Sequence, residues 1–409
     1  MTKVTHLVIS DLLGAGRAAL RISEAVKTAG YDSEVWVLNP GPLKAAKAIA
    51  LSEKGKLGRM VTKKCNDLEM KGYAMPGYFH SDKYAVSYKD MPMIQSADLI
   101  HVHWINEGIY SDHFLKDMNR PLVWTLHDMW PFTGGCHYTG DCRRFTGQCG
   151  ICPCLGSAKA SDLSSKGQQR RIQEYKNAAL QFVGCSQWIS EEANASRILR
   201  ESGKTCIAIP NPIETRWFHA RDKEDCRNLL GIQTKKKLIL TGSINLRDQR
   251  KGASFLLEAL GHLDPETYAL CTFGNPEGFD TGSVETITFG NVFDDLHLSL
   301  IYSACDLFCA PSVQENLANT VMESLACGTP AVAFEIGGMP DMIHPGFNGQ
   351  LAQPFDVLSL ANAIDETASR GYDALAIAKD TSERFGLEAI GKRYDSVYQK
   401  MLKEGGGKG

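Results

Sequence analysis

Short runs of β-branched and apolar residues recur along the chain. Each is followed by a glycine-bearing or polar turn and then by a stretch in which apolar positions return every three to four residues. In the first half the predicted strands are VTHLVIS (4–10), SEVWVL (33–38), DLIHVHW (98–104), PLVWTLH (121–127), FVGCS (182–186) and CIAIP (206–210). The second half offers KLILTG (237–242), YALCTFG (268–274), TITFG (286–290), DLFCAPS (306–312) and PAVAF (330–334). Helical periodicity falls at 17–29, 168–181, 187–201, 252–263, 294–304, 319–327, 356–370 and 387–404. Strands alternating with helices argue for parallel sheets covered by helices on both faces. One open sheet rarely holds so many strands, so the pattern divides the chain. The proline-rich stretch IPNPIETRWF (209–218) fits neither element and reads as the linker. The expected organisation is a first domain over 1–210, a second over 211–386, and a final helix within 387–409 that packs back on the first.

Composition narrows the class. Of 409 residues, 43% are hydrophobic and 22% charged, an ordinary globular balance with material for sizeable cores. The formal net charge of -3 gives no field favouring nucleic acid. No apolar run reaches the ~18 residues of a membrane span, and the start MTKVTHLVISDLLGAG lacks the charged-then-apolar order of a signal peptide. A cytoplasmic protein is expected, peripheral to the inner face of the membrane if a basic segment described below docks there.

The conspicuous residues cluster where strands end and helices begin, which is where open α/β sheets bind ligands. In DLLGAGRAAL (11–20), Gly14 and Gly16 let backbone approach a ligand and the following helix offers free N–H groups to a phosphate, although such a turn is often only a turn. His127 closes the strand of TLHDMWPFTGG; a satisfied structural histidine is the plainer reading, and its place at a strand C-terminus favours function. The His101/His103 alternation is weaker, with one of the pair expected on the sheet side. In TGSINLRDQRKGASFLLEAL (241–260), Lys251 precedes a helix start, with Arg247 and Arg250 in the same loop, so either an anion site or a solvated basic loop results.

ENLANTVMESLACGTP (315–330) raises the sharpest question, because Glu315 lies before an apolar helical pattern and Glu323 inside it. With Glu315 in the loop, the two carboxylates can flank one elongated ligand while the helix N-terminus at Asn319 faces its middle. Carboxylates bind hydroxyls and a helix N-terminus binds phosphate. Two hydroxyl binders around an anion binder describe a nucleotide diphosphate sugar.

These motifs resemble the GT-B retaining glycosyltransferases of family 4: E-x7-E followed by ACGTPAVAFEIGGMPDMI (326–343) and FNGQL (347–351), with GAGRAALRISEAVKTAGY, TLHD, IPNPIE, Lys251-Gly252 and YSACDLFCAPS. HWIN (103–106), WTLHDMWPFTGGCHY and QENLANTVMESLACGTP resemble the bacterial exopolysaccharide, colanic-acid-type subgroup. The resemblance implies an α/β fold of the GT-B type, two doubly wound Rossmann-like domains facing across a cleft. It implies catalytic roles for His127 on the donor sugar, Lys251 on the departing diphosphate and Glu315 on hexose hydroxyls. Donor contacts are implied at Gly14, Gly16, Arg247, Arg250, Gly274, Asn316, Leu317, Ala318, Asn319 and Thr320, with Glu323 on the ribose. The family usually places an arginine where this chain has Ser243, so Arg247 or Arg250 must supply that charge.

The implied activity is transfer with retention from a UDP-sugar, or secondarily a GDP-sugar, to a saccharide or lipid-linked acceptor in bacterial surface polysaccharide synthesis. No cofactor is required, and no D-x-D occurs anywhere in the chain. A rival enzyme reading is a phosphorylase-like or donor-hydrolysing reaction on the same fold. The rival from another class is a non-catalytic nucleotide-sugar sensor or scaffold.

Two segments stand apart. In CHYTGDCRRFTGQCGICPC (136–154), Cys149 and Cys152 have the spacing of half a structural zinc site and Cys136 and Cys142 could supply the rest, with Cys154 and His137 in reserve; free thiols and disulfides are the alternatives. Residues 42–64 carry seven Lys/Arg against Glu53 alone, interleaved with apolar residues. They read either as a solvated helix or as a segment resting on an anionic membrane surface, where each basic residue contributes about 1 kcal/mol.

Overall fold

The computed structural model describes residues 1–42, 44–275, 281–282 and 284–406. In chain order, the first half contains β1 (Lys3–Ser10), α1 (Gly14–Thr28), β2 (Asp32–Asn39), β3 (Lys47–Ala48), α2 (Glu53–Met70) and α3 (Pro92–Gln95). It continues with β4 (Leu99–Val102), α4 (Phe114–Met118), β5 (Leu122–Leu126), α5 (Leu163–Lys176), β6 (Leu180–Gly184), α6 (Gln187–Ala195), α7 (Arg197–Ser202) and β7 (Cys206–Ala208). The second half runs α8 (Lys223–Leu229), β8 (Lys237–Asn245), α9 (Ala253–Leu260), β9 (Tyr268–Asn275), β10 (Thr286–Thr288), α10 (Asp295–Ala304) and β11 (Leu307–Ala310). Then come α11 (Asn319–Ala326), β12 (Ala331–Phe334), β13 (Gly349–Ala352), α12 (Val357–Ser369), α13 (Ala374–Phe385) and α14 (Leu387–Gly406). Two compact units result: Met1–Pro212 with Leu387–Gly409, and Ile213–Gly386.

The first unit has a parallel sheet in the order β3-β2-β1-β4-β5-β6-β7. Every residue of β4, β5 and β6 is buried, as expected of central parallel strands covered on both faces. The order reverses between β1 and β4, so the turn into α1 opens at the switch point of the sheet. The second unit repeats the design with the parallel order β10-β9-β8-β11-β12-β13, and its switch point lies between β8 and β11.

α14 returns to the first unit. It lies so close to α1 that a Cβ on Gly391 would come within 2.2 Å of the Ala25 carbonyl oxygen. Tyr394 and Tyr398, both fully buried, pack with Val4, Ile22, Leu99 and Val123, and each such aromatic contributes roughly 1.5–3 kcal/mol through apolar burial. The Tyr31 hydroxyl donates to Asp395 at 2.6 Å.

Each predicted strand overlaps an observed one, and the differences have local causes. The helical pattern 187–201 breaks at Ser196, whose extended backbone ends α6 and whose hydroxyl caps α7 by accepting from the Leu199 N–H. The pattern 168–181 ends at Lys176, because Leu180 onwards belongs to β6. The basic segment 42–64 is helical only from Glu53; Lys47 and Ala48 instead add a strand to the sheet edge, and Leu43 lies outside the described residues. Periodicity missed α13, whose buried positions Ile377, Thr381 and Phe385 include a threonine, and β13, four residues beginning with glycine.

Candidate functional site

In the second unit, strand β8 leads through a turn of 3₁₀ helix at Gln249–Lys251 into α9, and β11 leads through the loop 311–318 into α11. The two loops meet. Val313 donates its N–H to the Arg250 carbonyl at 2.8 Å, and Gly252, at φ 67°, sits so near Pro311 that a Cβ would lie 1.8 Å from its carbonyl oxygen. Only glycine tolerates both conditions. This approach fixes Lys251 beside Glu315, with Nζ 2.6 Å from Oε2. The Lys251 side chain is 37% exposed and that of Glu315 only 11%, so the ammonium opens outward while the carboxylate is held in the loop. Glu315 Oε1 also accepts from the Asn316 N–H at 3.3 Å.

Asn316, Leu317 and Ala318 are buried, and α11 begins at Asn319 with Ala318 as its N-cap. Alanine offers no side-chain acceptor to the first N–H groups, which suits an N-terminus that takes an anion. Asn319 and Thr320 form the first turn. Glu323 lies one turn on, 3% exposed, and accepts from the Tyr302 hydroxyl at 3.1 Å. The structure thus gathers Lys251, Glu315, Asn319, Thr320 and Glu323 around one helix N-terminus.

The remaining predicted donor residues of this unit are placed differently. Arg250 forks onto Asp248, with its guanidinium 2.6 Å and 3.1 Å from the two carboxylate oxygens. Arg247 is exposed and has no ion pair among the described residues, so it is the arginine of the loop that can move to a ligand. Gly274, at φ 103°, is required for a different reason: a Cβ would lie 1.6 Å from the Ser243 carbonyl oxygen, where β8 shifts register against β9. The Ser243 hydroxyl is itself buried and unpartnered.

In the first unit, Gly14 opens α1 and its N-cap Leu13 makes no side-chain cap. Gly16 permits the close packing of α1 on the strand before it, since a Cβ would lie 2.0 Å from the Ser10 carbonyl oxygen. His127 directly follows β5, and its Nε2 lies 3.1 Å from Nδ1 of His103. Burial lowers the His127 pKa to about 4, against the raising influence of Asp128, so the ring is neutral at physiological pH. His101 and His103, expected on opposite sides, are both buried with rings stacked at 4.4 Å, because residues two apart in an extended chain share a face.

Beside His127 lies a network that the sequence did not signal. Asp128 accepts from Trp104 Nε1 at 2.8 Å, the Trp130 N–H at 2.9 Å and His137 Nδ1 at 2.6 Å. Burial would raise its pKa, but His137 and these donors hold it below the usual carboxylate value. Nε2 of His137 meets His80 Nδ1 at 2.8 Å, and His80 Nε2 lies 3.2 Å from Glu107. Burial opposes the His80 charge, yet Glu107, Asp82 and Asp128 outweigh it and raise its pKa. The reserve ligand His137 is therefore committed at both nitrogens.

Among the described residues, Cys136, Cys142, Cys149 and Cys152 do not gather as one metal-ligating group. Cys154 instead stands between Cys136 and Cys152, interacting with both thiols, and its Sγ lies 3.7 Å from the Tyr138 carbonyl oxygen. Burial pushes the Cys149 thiol up to about 12, and the neighbouring Cys136 thiol pushes Cys154 up to about 12. The group that does meet ligating distances is His6, His101 and His103, within 4.8 Å of one another. Both nitrogens of His101 are already taken, by the hydroxyls of Tyr398 at 2.6 Å and Thr125 at 2.8 Å.

Comparison with known proteins bears on the fold and on the second unit. Residues 235–370 match the family model described as Glycosyl transferases group 1. The D-inositol 3-phosphate glycosyltransferase of Mycobacterium marinum is 25% identical over 282 residues, covering 66% of this chain and 55% of that protein, so the match spans about half the relative's length. Among solved structures, sucrose-phosphate synthase from Thermosynechococcus elongatus aligns with a TM-score of 0.65 at 17% identity, covering 99% of this chain and 100% of that one. Anabaena HepE in complex with UDP-glucose aligns with a TM-score of 0.67 at 16% identity, covering 98% and 100%. The chain therefore has the GT-B fold of two Rossmann-like domains, and its residues 235–370 are similar to the Glycosyl transferases group 1 family.

Proposed function

We propose that this protein is a retaining glycosyltransferase that moves a sugar from a nucleotide diphosphate donor to a saccharide acceptor carried on a lipid, in bacterial surface polysaccharide synthesis. The observation that carries the reading is the Lys251–Glu315 pair set against the N-terminus of α11, with the buried Glu323 one turn further on. A UDP-sugar is the first donor and a GDP-sugar the second; the UDP-glucose bound to the Anabaena neighbour supports that order.

Each residue then has one task. The ammonium of Lys251 turns from Glu315 to the diphosphate and stabilises the charge that develops as the glycosidic bond breaks, aided by the N–H groups of Asn319 and Thr320. Glu315, released from the ion pair, accepts hydrogen bonds from sugar hydroxyls, and Glu323 accepts from the ribose. His127 contacts the transferred sugar, and Arg247 supplies the charge absent at Ser243. The acceptor hydroxyl forms its bond to the anomeric carbon on the face that the diphosphate leaves, and a diphosphate oxygen takes the hydroxyl proton.

Helix α2 supports a membrane-bound acceptor. It has no buried residue, and Leu57, Met60, Val61 and Leu68 are 54–69% exposed on one face, with Lys54, Lys56, Lys63 and Lys64 exposed around them. Among the described residues no helix is long and apolar enough to cross a membrane, so this face would rest on an anionic surface.

The test is nucleoside diphosphate release from a panel of UDP-, GDP- and ADP-sugars, with and without lipid-linked saccharide and with chelator present. Acceptor-stimulated release from one donor, with the anomeric configuration retained in the product, is expected. Binding of a nucleotide sugar with no turnover under any acceptor would replace the enzyme by a sensor. D-inositol 3-phosphate, the acceptor named for the mycobacterial relative, belongs in the same panel.

A further inference from the structure

Behind His127 stand two histidines that the proposed reaction does not use. β1 pairs with β4 so that His6 is opposite His101, and His103 follows on the same face. His6 is 0% exposed and His103 2%. Nδ1 of His6 lies 3.0 Å from Nε2 of His103, and Nδ1 of His103 lies 3.1 Å from Nε2 of His127. Three imidazoles are thus joined in series from the sheet interior to the strand end.

A neutral imidazole carries one N–H and one lone pair. The series can therefore be polarised in only two ways. In one, His6 donates to His103 and His103 to His127, which leaves His127 with its proton on Nδ1. In the other, His127 donates inward from Nε2, and the last N–H falls on Nε2 of His6. That atom is buried without any hydrogen-bond partner. An inward series would strand a donor there, while His127 Nδ1, which takes no hydrogen bond among the described residues, would present only a lone pair. The surroundings of the two ends select between them. At the His6 end the positive charge of Lys27 is paired with Glu24 at 2.7 Å, so it is the unpartnered Nε2 that favours a lone pair there. Asp128 acts as a negative charge on His127 and favours a proton at the other.

We propose that His6 and His103 are positioning residues that hold His127 as its Nδ1–H tautomer, so that His127 offers a hydrogen-bond donor to a sugar oxygen. The inference rests on the reading of His127 as a donor-sugar contact, and it deepens that reading by assigning the atom and the direction of the bond. A metal ion on His6, His101 and His103 is the competing use of these rings; it would have to displace the hydroxyls that occupy His101.

The experiment is two-bond ¹H–¹⁵N correlation of the histidine rings in the full chain at neutral pH, with His127 assigned by its loss in His127→Gln. The expected wild-type spectrum shows His127 protonated on Nδ1 and bare on Nε2. His6→Leu should move His127 towards the Nε2–H form and lower kcat about tenfold with the donor KM within twofold. His6→Asn, whose amide can donate from near the place of Nδ1, should restore both. An Nε2–H tautomer in the wild type, an unchanged tautomer in His6→Leu, or a metal bound stoichiometrically and lost in that variant would each overturn the proposal. The wild-type spectrum decides the polarity even if the variant fails to fold. A tautomer shift with unaltered turnover would uphold the series and remove His127 from the proposed sugar contact.

Discussion

Replacing Lys251 by methionine separates what the lysine does for stability from the role in transfer proposed for it. Its ammonium lies 2.6 Å from Glu315, with side chains 37% and 11% exposed. A pair this open to solvent contributes about 1 kcal/mol at most. In a unit of this size that corresponds to a fall in melting temperature of roughly 2–4 °C. The catalytic effect should be larger. An ammonium about 4 Å from a developing phosphate charge, at an effective dielectric near 20, interacts by about 4 kcal/mol. Surrendering Glu315 offsets part of this, so a net loss of about 3 kcal/mol, or roughly a hundredfold in kcat, is expected. Steady-state nucleoside diphosphate release and a thermal melt on the same preparation measure both quantities. The reasoning fails if kcat/KM stays within about threefold of wild type. It fails equally if the melt drops by more than about 8 °C, which would make Lys251 a structural residue.

Three further predictions test other parts of the molecule. Glu174 accepts hydrogen bonds from the Tyr110 hydroxyl and the Leu115 N–H, and burial raises its pKa from 4.5 to about 7. A raised carboxyl pKa makes stability fall as pH climbs from about 4.5 through 7, by about 3 kcal/mol, and Glu174→Gln should flatten that slope in urea melts; parallel slopes would refute it. Cys154→Ser should destabilise the loop by about 1–2 kcal/mol, more than Cys142→Ser, because Cys154 stands between two thiols; equal melting curves would put the centre of the cluster elsewhere. Charge reversal at Lys54, Lys56, Lys63 and Lys64 should weaken binding to phosphatidylserine vesicles at least tenfold, and unchanged co-sedimentation would free α2 from a membrane role.

The alternation of strand and helix was legible because central parallel strands are buried on both faces and so mostly apolar, as LIHV and LVWTL are apart from the hydrogen-bonded His101 and Thr125. Glu315 and Glu323 stood out because a carboxylate inside an apolar helical pattern is unusual, but their partners, Lys251 and Tyr302, had no local signature. Other features had no local signature. Asp128, His137, His80 and Glu107 are brought together from three loops, and nothing in the local spacing marks them as partners. Gly16 and Gly274, two of the glycines assigned to ligand approach, also stand where backbone meets backbone. Sequence shows that a side chain is missing, but not what would have collided with it. The cysteine spacing likewise pointed to four sulfurs, and only the fold shows that Cys154 packs with two of them, Cys136 and Cys152.

The return of α14 to the first unit has a consequence for biosynthesis. The hydroxyls of Tyr394 and Tyr398 lie at 3.0 Å from Thr125 and 2.6 Å from His101, groups made some 270 to 300 residues earlier on the ribosome. Until the last turns of the chain emerge, those buried polar groups lack their partners and the flank of α1 around Ile22 and Val26 stays uncovered. Of the two units, the one translated earlier is therefore completed after the other. A nascent chain stalled before Leu387 should present a sticky, protease-sensitive first domain beside a second that already has all of its own residues.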